Sequence, residues 1–201
     1  MRVSWPVSLT EGAVTLRPLR QRDATAWREV RARNAVWLGP WESTLPGPDS
    51  DRPASFGAMV RLLKHEARAG RNLGFAITHD DRFVGQITLG GITWGSLRGA
   101  YVGYWIDQAV AGQGIAPTAV AMVCDHAWFN LQLHRIEVNV RPENERSLRV
   151  VDKLGFRREG VRPRYLHIDG EWRDHVSFAL NSDEVPGGLL ARWRGSNPAS
   201  L

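Results

Sequence analysis

The stretch AGQGIA, residues 111–116, joins a segment with strand character to one with helix character. The segment before it, residues 100–106, is rich in aromatic and β-branched residues, which favour strands. After it, Pro117 suits a first helical turn, and apolar residues recur at helical spacing to about Asn130. A glycine-bearing turn of this kind leaves backbone N–H groups unpaired at a helix N-terminus, where they can bind a pyrophosphate.

Spacing separates the families that use this turn. A Walker A loop requires Gly-Lys-Ser/Thr, which is absent, and a dinucleotide fingerprint requires a third glycine where this chain has Pro117. The acyltransferase pattern Q/R-x-x-G-x-G/A matches Gly114 and Ala116, with Ala111 in the place of the leading Gln or Arg. On this segment alone, a tight strand-to-helix connection without a ligand remains an equal alternative.

The segments downstream favour the acyltransferase interpretation. Residues 135–141 alternate between apolar and polar side chains, as in a half-buried strand, and a helix is predicted from Glu145 to Leu154. Asn144 and Ser147 form an N-x-x-S segment, and residues 154–156 read LGF. With the opening TLRPL, residues 15–19, these motifs resemble those of the GNAT superfamily, particularly the ribosomal-protein alanine N-acetyltransferases of RimJ/RimL type. The resemblance spans roughly residues 13 to 181.

This resemblance implies an α+β GNAT fold, in which a mixed, mostly antiparallel sheet is splayed where the cofactor inserts and carries helices on both faces. The sequence pattern predicts strands at 14–19, 73–78, 83–89, 100–106 and 135–141, and helices at 24–33, 54–69, 116–130 and 145–154. It also predicts an antiparallel pair of strands around Asp169-Gly170, of which the second, the final strand, is 172–180. We expect residues 1–181 to form a single domain. Residues 182–201, which contain Pro186-Gly187-Gly188, are interpreted as a C-terminal tail.

The resemblance also assigns a cofactor site. Acetyl-CoA is the expected co-substrate, with its pyrophosphate on the backbone N–H groups of five consecutive residues. These are Gly112, Gln113, Gly114, Ile115 and Ala116. The pantetheine arm is expected along the main chain of Tyr104, Trp105 and Ile106. Asn144 has two compatible interpretations, a hydrogen bond to pantetheine and a helix N-cap.

Two side chains are candidates for proton transfer. Ser147 matches the serine that, in the RimJ/RimL group, is a candidate acid for the leaving thiolate. Many other GNAT enzymes carry a tyrosine further along this helix, where this chain has the apolar Val151. Glu137 is the candidate base, although a glutamate paired with a neighbouring arginine is nearly as good an interpretation. Ser147 also has an alternative, as an ordinary solvent-facing helix serine.

Composition limits the other possibilities. The net charge is +5, but the arginines are scattered, so we do not expect direct binding of nucleic acid. No apolar run approaches the ~18 residues of a membrane span, the histidines lack metal-ligand spacing, and Cys124 is the only cysteine. A cytoplasmic enzyme is expected, with no metal and an oligomeric state that the sequence leaves open.

The acceptor is predicted to be a primary amine, either a protein N-terminus, perhaps ribosomal, or a small molecule. Two non-enzymatic functions also remain open: a non-catalytic CoA-binding module and a basic ribosome-associated protein. Trp37 and Trp41, in a long loop before Pro53, are candidates for the entrance of the acceptor site or for packing anchors of that loop.

Overall fold

The computed structural model describes residues 4–47 and 53–196, which build one eight-stranded sheet flanked by helices. The strands are β1 (Leu9–Glu11), β2 (Val14–Pro18), β3 (Leu73–His79), β4 (Arg82–Thr93), β5 (Gly99–Ile106), β6 (Arg135–Val140), β7 (Arg157–Ile168) and β8 (Glu171–Asn181). The helices are α1 (Ala24–Arg33), α2 (Ala35–Leu38), α3 (Phe56–Arg68), α4 (Ile115–Asp125), α5 (Glu145–Lys153) and α6 (Leu189–Ser196). The strand order is β1-β2-β3-β4-β5-β6-β8-β7.

Every neighbouring pair in the sheet is antiparallel except β5 and β6, which are parallel. The expected α+β GNAT fold is therefore confirmed. The predicted elements lie close to those observed, apart from the short β1 and the helical turns at 35–41, where a loop was expected. The helix predicted to reach Asn130 ends its α-helical part at Asp125 and continues as a single π-helical turn, His126–Asn130.

Both faces of the sheet are covered. On β3, Leu73, Phe75 and Ile77 are fully buried in the larger core, which includes α4. Ala76, whose side chain points the other way because strand side chains alternate, belongs to a second core together with Val30 of α1. Burial on both faces explains why this strand is almost continuously apolar.

The strands β5 and β6 separate soon after they meet. They pair only at Gly99–Arg135, Ala100–Ile136 and Tyr101–Glu137. Beyond that point β5 remains paired with β4 up to Ile106, and β6 remains paired with β8 up to Val140. Each strand is thus held by its outer neighbour, while the inner edges diverge and leave a cleft in the middle of the sheet.

The segment after Asn181 is not the peripheral tail that the sequence suggested. Residues 189–196 form α6, in which Leu189 and Trp193 are buried against the core. The carboxylate of Asp125, at the end of α4, accepts hydrogen bonds from the backbone N–H groups of Leu189 (2.6 Å) and Leu190 (3.0 Å). This side chain caps α6, a contact between distant residues that local sequence patterns do not reveal. Residues 197–201 lie outside the described part.

Within residues 4–47 and 53–196, no helix combines the length and apolar character that crossing a bilayer requires.

Candidate active site

The cleft between β5 and β6 has a volume of about 1250 Å³ and is continuous from α4 to the β7–β8 hairpin. This cleft is lined by nine of the site residues that we predicted from the sequence. They are Tyr104, Trp105, Ile106, Gly112, Gly114, Ile115, Ala116, Asn144 and Ser147. The divergence of the two strands thus brings the strand end, the glycine turn and the start of α5 to one cavity.

The glycine turn leads directly into the N-terminus of α4. Gly112 and Gly114 have φ angles of +85° and +80°, in the left-handed region that glycine adopts without steric cost. Gly114 is the residue that precedes the helix, and no side chain caps it. The first N–H groups of α4 are therefore available to an anion, which the helix dipole also favours. A pyrophosphate fits these residues.

Gln113 differs from its neighbours in the turn. Its side chain is exposed, donates a long hydrogen bond to the Ala109 carbonyl oxygen (3.4 Å), and does not line the cleft. Any contribution of Gln113 to binding would therefore come from its main chain.

The start of α5 forms the wall opposite β5. Asn144 is the N-cap, since its Oδ1 accepts a hydrogen bond from the Ser147 N–H at 3.1 Å. Ser147 is half-buried, and its hydroxyl faces the same cleft. Val151, one turn further on, is fully buried in the core and cannot supply a proton.

The phenol of Tyr104 reaches the same wall from β5. Burial raises the pKa of this hydroxyl to about 12, and the neighbouring Ser147 hydroxyl acts in the opposite direction. Its oxygen is nevertheless buried without a hydrogen bond of normal geometry within the described part of the chain. Such an orphaned donor is a position where a bound ligand can supply the missing partner. The sequence assigned only the main chain of Tyr104 to the site, so its side chain is an addition.

Cations on α5 were also missed. Arg146, Arg149 and Lys153 line the cleft, and their spacing of three and four residues places them near one another on the helix. This helical spacing of three basic residues is visible in the sequence and could have indicated a cationic wall. Positive charge in the cleft that the start of α4 also lines complements an anionic ligand such as a pyrophosphate.

The other face of β5 is open. Gly103 is exposed, and a Cβ built there has no atom of residues 4–47 or 53–196 within 4 Å, so these residues leave space beside the strand on this side. Thr88, Tyr101 and Trp105 surround the opening. Arg31 of α1 stacks on the Trp105 ring at 5.3 Å from its centroid. An acceptor can reach the divergence of β5 and β6 through this opening.

A segment that we term the strap, residues 35–46, crosses the cleft from α2 to the β7–β8 hairpin. Trp37 lies under the guanidinium of Arg146 at 4.0 Å and Trp41 under that of Arg141 at 5.4 Å. The far end is held by a bridge between Ser43 and Ile168. Both tryptophans also line the cleft. The contacts with Arg146 and Arg141 match the packing-anchor interpretation, and a role at the entrance of the acceptor site stays a prediction.

Glu137 occupies a different place from the one its proposed role requires. Its carboxylate accepts from Arg135 Nε at 3.0 Å and from Arg162 Nη2 at 2.8 Å. It does not line the cleft, although Asn139 and Arg141 of the same strand do. The geometry matches the alternative of an arginine-paired glutamate and gives no support to a base at this position.

Comparisons with known proteins agree with this geometry. The family model described as an acetyltransferase (GNAT) domain matches residues 13–157. The [Ribosomal protein uS5]-alanine N-acetyltransferase of Escherichia coli is 32% identical over 186 residues, which cover 90% of this chain and 94% of that protein. The probable N-acetyltransferase YjcK of Bacillus subtilis is 38% identical over 133 residues, 64% of this chain and 74% of that protein.

Among solved structures, Mycobacterium smegmatis RimJ in complex with CoA-disulfide superimposes with a TM-score of 0.91 at 42% identity, and the match covers 98% of both chains. A sheet that splays at β5 and β6, a glycine turn at a helix N-terminus and these matches lead to one conclusion. The chain belongs to the GNAT acetyltransferase family and is an acetyl-CoA-dependent N-acetyltransferase.

Proposed function

We propose that this enzyme acetylates the N-terminal α-amine of a protein, with a ribosomal protein as the acceptor. The observation that carries the proposal is the set of elements that line the acceptor side of the cleft, by which we mean the part on the Gly103 face of β5. This side runs from Gly103 under the strap to Trp172 on the β7–β8 hairpin, a course suited to an extended peptide. The relatives named as acting on ribosomal proteins, including the uS5-alanine enzyme of Escherichia coli, support the same class of acceptor. Such an acceptor implies a cytoplasmic enzyme.

We assign a different role in the reaction to each group of residues around the cleft. The N–H groups at the start of α4 hold the pyrophosphate, assisted by the cations of α5. The free edge of β5, Tyr104 to Ile106, pairs with the pantetheine arm and donates a main-chain hydrogen bond to the thioester oxygen, where negative charge develops during attack. Asn144 binds the same arm through its amide. Ser147 donates a proton to the departing sulfur.

A competition experiment tests the proposal. The enzyme is incubated with acetyl-CoA and an equimolar mixture of N-terminal peptides of ribosomal proteins, the same peptides with a blocked α-amine and an internal lysine, and small polyamines. We expect acetylation of the free α-amines alone. Equal or faster modification of polyamines would assign the enzyme to small molecules instead.

A further inference from the structure

His175 of β8 is a buried histidine in the wall of the acceptor side, and the sequence analysis gave it no role. It is only 3% exposed and lines the cleft. Because side chains alternate along a strand, it shares a face of β8 with Ser177. The Ser177 hydroxyl donates to Asn139 Oδ1 at 2.7 Å, and Asn139 lies on β6 just beyond the point where β5 and β6 separate. His175 thus faces the region that an attacking amine must enter.

The protonation state of His175 follows from its one hydrogen bond. Its Nδ1 lies 3.0 Å from the Arg173 carbonyl oxygen. A carbonyl oxygen only accepts, so Nδ1 carries the hydrogen. In the neutral ring, Nε2 is then an unprotonated acceptor, and it has no partner among the described residues. This is the arrangement of a histidine positioned to receive a proton.

The surroundings keep the ring neutral. Burial is the main cause that lowers the pKa of His175, and the charge of Arg141 on β6 lowers it further. The Arg173 carbonyl, Glu143 and Asp174 act in the opposite direction but do not reverse the effect. From β7, Tyr165 packs edge-on against the ring at 5.7 Å between ring centroids, and Arg162 is the cross-strand neighbour.

The other candidates along the cleft are less suitable. The carboxylate of Glu42 forms an ion pair with Arg31, and Glu137 lies between two arginines outside the cleft. His167 sits near the tip of the hairpin, opposite Trp172, with its Nδ1 against Thr44 of the strap. His175 therefore combines a free acceptor nitrogen with a position beside β6.

We propose that His175 is the general base of the reaction and receives the proton that an acceptor ammonium must lose before attack. This role rests on the proposed function of the cleft. The proton passes to Nε2, directly or through one water, and the freed nitrogen lone pair forms the N–C bond while the C–S bond breaks. The second amine proton balances the proton that Ser147 gives to sulfur, and His175 returns its proton to solvent.

The test is the pH dependence of kcat/KM for a peptide acceptor, measured for the unaltered enzyme and for His175→Gln. A neutral base allows the enzyme to act on an acceptor that is still an ammonium ion. The kcat/KM of the unaltered enzyme therefore rises with pH as His175 loses its proton, at its lowered pKa, and is already high near pH 7. In His175→Gln only the free amine reacts, so the rise of kcat/KM with pH shifts to the α-amine pKa of about 7.7–8.0. We expect a loss of about 20-fold near pH 6.5, where only about one α-amine in twenty is neutral, and a much smaller loss near pH 9, where the amine is already neutral.

Two controls distinguish base catalysis from a structural role. His167→Gln removes the other histidine of the acceptor side and should leave the position of the rise unchanged. In His175→Ala, added imidazole should restore activity in proportion to its neutral form. Circular dichroism and thermal unfolding establish that the variants are folded.

The outcomes separate the two proposals. A loss by the same factor at every pH, or a variant with the wild-type profile, would overturn the assignment of His175 while leaving the enzyme's function intact. Failure of the unaltered enzyme to acetylate any peptide, with turnover of small amines instead, would overturn the proposed acceptor class.

Discussion

At the scale of single residues, Asn144 and Ser147 lie within one turn of each other at the start of α5 yet are expected to act at different stages. Asn144 already holds its geometry through the cap to the Ser147 N–H, so the contact with pantetheine that we propose for it would be made in the ground state. In the role that we propose for it, the Ser147 hydroxyl acts only when charge develops on sulfur. Interactions made only in the transition state change kcat, whereas those made equally in both states change KM.

Replacement of Ser147 by Ala should therefore lower the rate of acetyl transfer and leave the KM for acetyl-CoA nearly unchanged. Single-turnover measurements are the appropriate readout because slow product release can hide an effect on chemistry. Full retention of the single-turnover rate in Ser147→Ala would mean that the sulfur receives its proton from elsewhere.

Replacement of Asn144 by Ala should show the opposite pattern. We expect a higher KM for acetyl-CoA with a smaller change in kcat, together with a loss of about 1 kcal/mol of stability through the missing cap. Chemical denaturation measures the second effect independently of the first. An unchanged KM in this destabilised variant would leave Asn144 with the capping role alone.

Sequence patterns could predict Asn144 and Ser147 because both belong to one local motif. They could not predict that Glu137 is held by Arg135 and Arg162, because the second of these partners comes from another strand. The same holds for His175, whose position beside Asn139 depends on the register between β6 and β8. Site residues defined by cross-strand neighbours carry no signal in their own stretch of sequence.

At the scale of elements, the decisive feature is a helix that begins without a side-chain cap. The turn before α4 needs positive φ at Gly112 and Gly114, and the absence of side chains there leaves the N–H groups open. This element was predictable, since the glycine spacing, Pro117 and the helical periodicity all lie in one continuous stretch, residues 112–130. The helical turns of the strap were harder to predict, because they are held by Arg141 and Arg146, which come from elements distant in sequence.

Replacement of Gly114 by Asp should weaken CoA binding at least ~10-fold, or ~1.4 kcal/mol, because it places a carboxylate beside the pyrophosphate. Gly95→Asp is a matched control. Gly95 also has a positive φ, of +77°, but lies in the turn between β4 and β5 and does not line the cleft. Calorimetry should show weaker binding for the first variant and unchanged binding for the second. Equal affinities in two folded variants would remove the turn from the site.

At the scale of the whole molecule, the end of the chain completes the core on which α4 rests. Trp193 is 4% exposed, and its indole N–H donates to Thr118 Oγ1 at 3.0 Å. Thr118 lies in the first turns of α4, so α6 supports the helix whose N-terminus we propose to hold the pyrophosphate. The sequence did not reveal this contact, because Thr118 and Trp193 meet only in the folded molecule.

Truncation of Trp193 to Ala should reduce the free energy of unfolding by about 3–5 kcal/mol. Trp193→Phe, which keeps most of the apolar volume and removes the indole donor, should cost less. Denaturation in urea measures both values. A loss below about 1 kcal/mol for the Ala variant would show that α6 contributes little to the core, as the peripheral-tail prediction implied.

We propose that the enzyme transfers acetyl from acetyl-CoA to an N-terminal α-amine in the splayed cleft. The most direct measurement is mass spectrometry of a ribosomal-protein acceptor after incubation with the enzyme and acetyl-CoA, followed by peptide mapping. We expect a mass increase of one acetyl group, located on the α-amine, whose yield at limiting acetyl-CoA falls with Gly114→Asp and persists with Gly95→Asp. Acetyl groups on lysine side chains in place of the α-amine, or equal yields with both glycine variants, would contradict it.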